Sequence, residues 1–358
     1  MIIMHKGATQ EEIDNVIAEV KKLGFRADVS RGESITIIGI VGDERHIPFH
    51  QLSILPGVKE TRMIETPYKL ISREYNAEHD TNRIIRIGDV AIGDDKPTYI
   101  AGPCAIESKS QMFRIAEEVK RAGAHILRGG IFKPRSSAHS FQGLGAQGDD
   151  EAREALTWLR DAGRKFEMPT ITEIRGETKV ELIAEYVDIL QIGARNMYDQ
   201  DLLGIVARQG KPVLYKRHFG ASVEEFLSFS EYLAVEGNKD IILCERGVLP
   251  IGKGKSFTRY TLDLAAVPSI QEETYLPVVV DPSHATGRRD LVYSMSCSAM
   301  AAGASGLAIE VHYNPAESWV DAAQAITADE LKNIIDTCNH IHTIAAENKR
   351  KAFKKSGR

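Results

Sequence analysis

At 358 residues, with 43% hydrophobic and 27% charged side chains, the chain has the make-up of a globular protein, either one large domain or a large and a small one. Its 45 lysines and arginines against 50 acidic residues leave a net charge of −5, which excludes a general attraction to nucleic acid or an anionic membrane; an anion site has to be local. Four scattered cysteines without a CxxC pair exclude a disulfide framework, and with no long apolar run and no signal-peptide pattern the chain is expected in the cytoplasm.

The first 66 residues read as a small α+β domain. Residues 2–5 and 35–41 (ITIIGIV) are apolar enough for strands, and residues 26–30 form a weaker one. Between them, residues 9–23 carry Ile13, Val16, Ile17 and Val20 at helical spacing behind a capping box, Thr9 with Glu12. A short helix over 47–55 and a strand over 58–64 complete the order β-α-β-β-α-β of a ferredoxin-like module. Residues 67–95 are a linker, with a polar connecting stretch over 67–83, followed by a hairpin (84–94) that turns at Gly88 to Val90 and is placed to plug a barrel.

From residue 96 to 348 the pattern repeats. Apolar strands are expected at 98–104, 125–132, 168–174, 187–194, 212–218, 240–247, 277–284 and 306–312. Helical segments lie between them, among them SQMFRIAEEVKRAG, DEAREALTWLRDAG, SVEEFLSFSEYLAVEG and LVYSMSCSAMAAGA, several stopped by glycine. Eight alternating strand–helix units in this length indicate an α/β fold, a (β/α)8 TIM barrel preceded by the small ferredoxin-like domain. The last helix is expected over 329–348, and the basic tail 349–358 is expected to fray.

Barrel enzymes build their sites at the C-terminal ends of the strands, and the unusual polar residues fall there. They are Cys104, Arg128 and Lys133, Glu173, Arg195, Lys216 and His218, Glu245 and Arg246, Asp281 and His284, then Glu310 and His312. The loop after the second strand, with Lys133, Arg135, Ser136, Ser137 and several glycines, offers cations, hydroxyls and free backbone N–H groups suited to phosphate and carboxylate. Cys104, His284 and Glu310, with Asp321 as a possible fourth, combine thiolate, imidazole and carboxylate in the mixture that holds a divalent transition metal. Six cations and a dication against three anionic ligands leave an excess of ~5 positive charges, enough for two phosphates of −1.5 to −2 each and a carboxylate.

These residues also carry a resemblance. AGPCAIES (101–108), LRGG with KPRSSAHSFQGLG (127–145), QIGARN (191–196), ILCERG (242–247), DPSHATGRRD (281–290) and IEVH (309–312) resemble the 3-deoxy-D-arabino-heptulosonate 7-phosphate (DAHP) synthase family over residues 66–345. The first 65 residues are similar to the ferredoxin-like, ACT-type regulatory module of one branch of that family.

The resemblance implies condensation of phosphoenolpyruvate with erythrose 4-phosphate and release of phosphate, the entry step of aromatic amino-acid biosynthesis. Matched by position, Cys104, His284, Glu310 and Asp321 would hold one divalent ion, Mn2+ first and Co2+, Fe2+ or Zn2+ as alternatives. Arg195 and Arg246 would grip the phosphate of phosphoenolpyruvate, Arg128, Lys133 and Lys216 its carboxylate and reacting centre, and Arg135 with Ser136 the aldose phosphate. Lys133 is the candidate for proton transfer, with a pKa expected to be lowered by neighbouring cations, while His218 and Glu173 would position water. Asp28 and Ser30 lie on the strand where relatives contact an aromatic amino acid; the resemblance implies tyrosine or phenylalanine as effector, a choice that the aspartate does not decide, and a homo-oligomer, a tetramer or dimer. Two departures from the family pattern stand out: a longer loop over 248–257, and DAAQAIT from Asp321 onward where glycine usually follows the aspartate. The rivals are 3-deoxy-D-manno-octulosonate 8-phosphate synthase, which uses arabinose 5-phosphate, and a non-catalytic amino-acid sensor on a barrel scaffold. The Pro134 between Lys133 and Arg135 and the attached module favour the four-carbon aldose.

Overall fold

A computed structural model describes residues 1–32, 35–42, 47–62, 66–76, 81–133, 139–251 and 256–356, leaving aside the side chains of 346 and 348–356. Its contacts divide the chain into two compact units, Met1–Thr81 with Glu272–Tyr275, and Asn82–Gln271 with Leu276–Arg358.

The first unit contains β1 (Ile2–Met4), α1 (Gln10–Lys22), β2 (Arg26–Arg31), β3 (Thr36–Val41), α2 (Phe49–Ser53) and β4 (Val58–Thr61). Its antiparallel sheet has the order β2-β3-β1-β4, the split βαβ arrangement expected. The capping box forms as the sequence predicts: the Thr9 hydroxyl accepts from the Glu12 N–H, and the Thr9 N–H donates to the Glu12 carboxylate at 2.7 Å. Val16 and Val20 on the inner face of α1 pack against Ile2, Met4 and Ile38 of the sheet. The stretch after 67 departs from the expected polar connection, because Tyr68, Leu70, Ile71, Ser72 and Tyr75 are all buried. Tyr68 donates to Glu273 at 2.8 Å and Tyr275 donates to the Leu70 carbonyl at 2.7 Å, so the segment is packed within this unit.

The second unit opens with a hairpin, β5 (Ile85–Ile87) and β6 (Val90–Ile92), and then closes a parallel barrel. Its strands are β7 (Thr98–Gly102), β8 (Ile126–Arg128), β9 (Thr170–Ile174), β10 (Ile189–Ile192), β11 (Val213–Lys216), β12 (Ile241–Glu245), β13 (Val278–Val280) and β14 (Gly306–Glu310). All eight fall within the predicted segments and are shorter than expected; in the seventh, expected over 277–284, the strand ends at Val280 and Pro282–Thr286 turns into a short helix started by proline and capped by Asp281. Ile85 and Ile92 of the hairpin join Ile100, Ile126, Ile171, Ile189, Leu214, Ile242, Val279 and Ala308 in one buried cluster. Each barrel strand contributes one residue to that cluster or more, which is the packed interior of a barrel closed at one end by the hairpin.

The outer ring includes α3 (Lys109–Ala122), α4 (Asp149–Lys165), α5 (Val180–Ala184), α6 (Gln200–Ala207), α7 (Val223–Val235), α8 (Ala266–Glu273), α10 (Arg289–Ala301) and α11 (Ala328–Ser356), with a short α9 (Pro282–Thr286) after β13. Glycine stops α3 at Gly123 as predicted, but α4 runs through Gly163 to Lys165. There the missing side chain serves packing, since a Cβ on Gly163 would come within 2.3 Å of the Thr170 methyl on β9. The last helix extends to Ser356, beyond the expected end at residue 348. No helix among the described residues is long and apolar enough to cross a membrane.

Candidate active site at the barrel mouth

Strand register brings the polar residues to one level. Glu310 lies beside Gly102, Lys216 beside Cys244, Glu245 beside Val280 and Glu173 beside Gln191, all at the C-terminal ends of their strands. Side chains alternate along each strand, so Glu310, Lys216 and Glu173, in phase with Ala308, Leu214 and Ile171, turn inward over the apolar cluster below, while Glu245, out of phase with Ile242 and Cys244, turns outward to Arg217. One crossing is tight: a Cβ on Gly193 would lie 2.0 Å from Glu173 Oε1, so glycine there makes room for the carboxylate.

Cys104, His284, Glu310 and Asp321 each bring one donor atom to a spot where all four lie within 4.8 Å of one another. Donors around an ion at ~2.1 Å in a tetrahedron stand about 3.4 Å apart, so the grouping has the right scale. Cys104 Sγ is 3.2 Å from Asp321 Oδ2, and His284 Nε2 is 3.0 Å from Glu310 Oε1. The imidazole is oriented from behind: His284 Nδ1 lies 2.6 Å from Asp281 Oδ2, which also receives the Lys216 ammonium at 2.6 Å. Asp281 fixes the ring through Nδ1 and so turns Nε2 toward the Glu310 carboxylate, where the two can act as donors to one ion. Glu310 Oε1 is buried and has no hydrogen-bond partner among the described residues, although the Arg128 guanidinium lies 3.2 Å away as its ion pair. Burial, then Glu310, pushes the Cys104 thiol well above its ordinary range, so its ionisation depends on a cation at this point. The residues present fit a divalent ion.

Beside this grouping opens a cavity of about 310 Å3, lined by Lys133, Glu173, Arg195, Lys216, Arg246, Arg259, His284 and Asp321 among others. Every cation expected at the site and described in the structure lines that cavity, except Arg128, which is buried beside Glu310. The electrostatics differ from expectation at Lys133. Burial by itself lowers its pKa, but Cys104, Glu173 and Glu310 outweigh burial and hold the ammonium above its ordinary value. The lowering expected from neighbouring cations is therefore corrected, because Cys104 and the carboxylates outweigh them. Asp281 likewise offsets Lys216, while Arg259 adds a cation that was not counted. Burial is outweighed at Asp281 too, where His284 and Lys216 hold the carboxyl well below the usual carboxylate range.

His218 is half-buried and stands outside the residues lining the cavity, with Nδ1 accepting from the Gly220 N–H at 3.1 Å. Burial and then Arg246 lower its pKa, so it is a neutral imidazole near neutrality. Arg135 and Ser136 lie outside the described residues, as does part of the 248–257 loop. In the first unit, Asp28 is engaged by the chain itself: the buried Tyr75 phenol donates to the Asp28 carbonyl (2.7 Å) and carboxylate (3.0 Å), and Ser30 lies 3.4 Å from Asn76. Three contributors escaped the sequence reading. Arg217 bridges Glu245 and Asp263 at 2.9 Å each, Arg259 reaches Asp321 at 3.1 Å, and Gln324 donates to Glu310 at 2.5 Å. Gln324 sat in DAAQAIT, read only for its missing glycine; a lone amide carries no pattern by which to find it.

The family model described as "DAHP synthetase I family" matches residues 71–347, and that of the "DAHP synthase ferredoxin-like domain" matches residues 1–66. The chain is 41% identical over 335 residues to a phospho-2-dehydro-3-deoxyheptonate aldolase of Thermotoga maritima, covering 94% of this chain and 95% of that protein. It is 30% identical over 275 residues to a 2-dehydro-3-deoxyphosphooctonate aldolase of Acidithiobacillus ferrooxidans, covering 72% of this chain and 94% of that one. Among solved structures, the crystal structure of the Thermotoga maritima DAHP synthase superposes with a TM-score of 0.73 at 39% identity over 96% of both chains. A truncated form of the Thermotoga maritima enzyme gives 0.67 at 40% identity, over 75% of this chain and 94% of that one.

Proposed function

The chain belongs to the DAHP synthetase I family, and on that footing we propose how its own residues carry the family's reaction and how that reaction is controlled. The reaction joins C3 of phosphoenolpyruvate to C1 of erythrose 4-phosphate; the oxygen of water adds at C2, and the C2–O bond breaks to release phosphate. This is the first step of the shikimate pathway.

Cys104, His284, Glu310 and Asp321 would hold a divalent ion, Mn2+ in the first instance, with Asp281 fixing the imidazole. When bound, the ion supplies Lewis-acid polarisation of the aldose carbonyl. Arg195 and Arg246 take the phosphate of phosphoenolpyruvate. Arg246 is held by stacking over Tyr260 at 4.1 Å, and its NH1 has no hydrogen bond among the described residues. Arg128, Lys133 and Lys216 meet the carboxylate and the reacting centre, and Arg135 with Ser136 takes the aldose phosphate. Lys133, on the cavity wall, is the candidate for proton transfer at the reacting centre. Glu173, on the cavity wall, is the better placed of the two groups proposed to position water; His218 acts from outside it.

The observation that carries this reading is the convergence of four donor atoms within 4.8 Å beside a cavity walled by Lys133, Arg195, Lys216 and Arg246. A paired-aldose assay with and without chelator tests it. Turnover is expected with erythrose 4-phosphate, much less with arabinose 5-phosphate, none after chelation, and again on adding Mn2+. A preference for arabinose 5-phosphate, or activity indifferent to chelation, contradicts it.

The ferredoxin-like module supports regulation by tyrosine or phenylalanine in a homo-oligomer, a tetramer or dimer. Inhibition by either amino acid should vanish when residues 1–65 are deleted while activity persists; retained sensitivity would place the effector elsewhere. Sedimentation of the full chain gives its oligomeric state.

A further inference from the structure

We propose that Gln324 is a positioning residue that turns Glu310 into a one-oxygen donor for the divalent ion, and so sets how tightly and in what geometry that ion is held. The inference rests on the reading of Cys104, His284, Glu310 and Asp321 as the metal site.

Glu310 is fully buried, and its two oxygens have different surroundings. Oε2 receives the Gln324 amide N–H at 2.5 Å. Oε1 has no hydrogen bond among the described residues; it faces His284 Nε2 at 3.0 Å and has the Arg128 guanidinium 3.2 Å away as its ion pair. A carboxylate can offer an ion one oxygen or both. A donor fixed on Oε2 opposes rotation of the group and engages the electrons that a second metal bond would need, leaving Oε1 directed at the site. A neutral donor suits the task, because a lysine in this place would add a second cation to the one that Arg128 already sets against Glu310.

The backbone delivers Gln324 with unusual economy. The Gln324 N–H bonds back to the Asp321 carbonyl at 3.1 Å, forming a turn whose first residue, Asp321, has φ of 53°. That is the left-handed region, which a non-glycine residue enters at some strain. The turn is then tied to the end of β14, with the Ile326 N–H on the Glu310 carbonyl at 3.0 Å and the His312 N–H on the Ile326 carbonyl at 2.9 Å. One strained turn therefore presents both the Asp321 ligand and the clamp on the Glu310 ligand. Gln324 is itself fully buried, and its own Oε1 has no hydrogen-bond partner among the described residues. An unsatisfied buried carbonyl opposes stability. The amide is therefore better explained by what it does to Glu310 than by what it adds to the fold.

The test compares the full chain with its Gln324→Met and Gln324→Asn variants, stripped of metal and titrated with Co2+ in competition with a chelator. Wild type should bind one Co2+ with a thiolate charge-transfer band that Cys104→Ala abolishes. Gln324→Met fills the same space without a donor. It should keep the thiolate band but bind Co2+ about 10–100-fold more weakly, with fainter d–d absorption as Glu310 adds its second oxygen to the ion. Gln324→Asn, whose amide is drawn back by one methylene, should fall between and serves if the methionine variant does not fold. Unchanged affinity and an unchanged spectrum in the folded variants overturn the role of Gln324 while leaving the metal site intact. Failure of wild type to bind Co2+ at all overturns the metal reading and this inference with it.

Discussion

Replacing Asp281 with asparagine preserves the shape of the side chain and removes its charge at a point where three donors converge. Asp281 is fully buried; Oδ2 lies 2.6 Å from both the Lys216 ammonium and His284 Nδ1, and Oδ1 accepts the His284 N–H at 2.9 Å. An asparagine can keep its oxygen toward the first two partners only by turning its NH2 against the backbone N–H, so one donor meets another whichever way it flips. The Lys216 ammonium, only 5% exposed, then loses its counter-charge. Breaking one side of a buried pair costs about 3–5 kcal/mol. For a barrel of ~280 residues, an unfolding entropy of about 2.1 cal/mol/K per residue converts this into a fall of about 5–9 °C in the melting midpoint. Because Asp281 also fixes the imidazole, metal affinity should drop about 10–100-fold. The carboxyl is held below its unfolded value, so its contribution is complete above about pH 4 and is lost as pH falls through the folded value. The gap between wild type and variant should therefore narrow only in acid. Differential scanning fluorimetry across pH, with Co2+ titration at pH 7.5, measures both effects. A midpoint shift under about 2 °C together with unaltered metal binding would refute the assignment of Asp281 as the residue that holds Lys216 and His284 in place.

Arg217→Met strands the fully buried Glu245, whose carboxyl burial already raises, at about 3–5 kcal/mol. The folded chain then holds a proton that the unfolded chain has released, so stability falls as pH rises between the two values; urea denaturation should show a larger loss at pH 8 than at pH 5, and equal losses contradict this. Tyr75→Phe removes the hydroxyl that joins the Asp28 carbonyl (2.7 Å), its carboxylate (3.0 Å) and the Gly39 N–H (3.1 Å). It should weaken hydrogen-exchange protection of β2 and β3 by about 1–3 kcal/mol, and unchanged protection would show that the phenol does not anchor that sheet. Ile92→Ala empties the hairpin's place in the barrel cluster and should cost about 2–5 kcal/mol by thermal or urea unfolding; a smaller loss would mean the hairpin does not close the core. Activity per folded molecule should be unaffected, since Ile92 lies in the apolar cluster beneath the site.

The fold was largely legible because its signals are local. Thr9 with Glu12 marks the start of α1 through a three-residue spacing that the backbone itself reads, and the eight apolar runs with helices between them leave few arrangements besides a closed barrel. Where the reading slipped, a neighbour distant in sequence decided the outcome. Gly163 looks like a helix stop, yet it is a gap left for Thr170; residues 68–75 look like a polar connection, yet Tyr275 and Glu273 bury them.

At the site, Cys104, His284, Glu310 and most of the cations are legible from strand ends, which a barrel necessarily gathers at one mouth, while Asp321 is offered only as a possible fourth donor from the loop after the last strand. The pairing among them is not legible there. That Lys216 meets Asp281, that Arg128 meets Glu310, and that Lys133 sits among enough negative charge to raise its pKa depend on separations of a few ångströms between residues 65 or more positions apart in two of the three cases. Sequence by itself determined which chemical groups arrive at the mouth, because strand periodicity and chain order are properties of neighbouring residues. Only the tertiary structure decided which of those groups are spent on one another and which stay directed at a ligand. Coulomb energy and desolvation change steeply with distance, and distance across a barrel is written nowhere in the order of the residues.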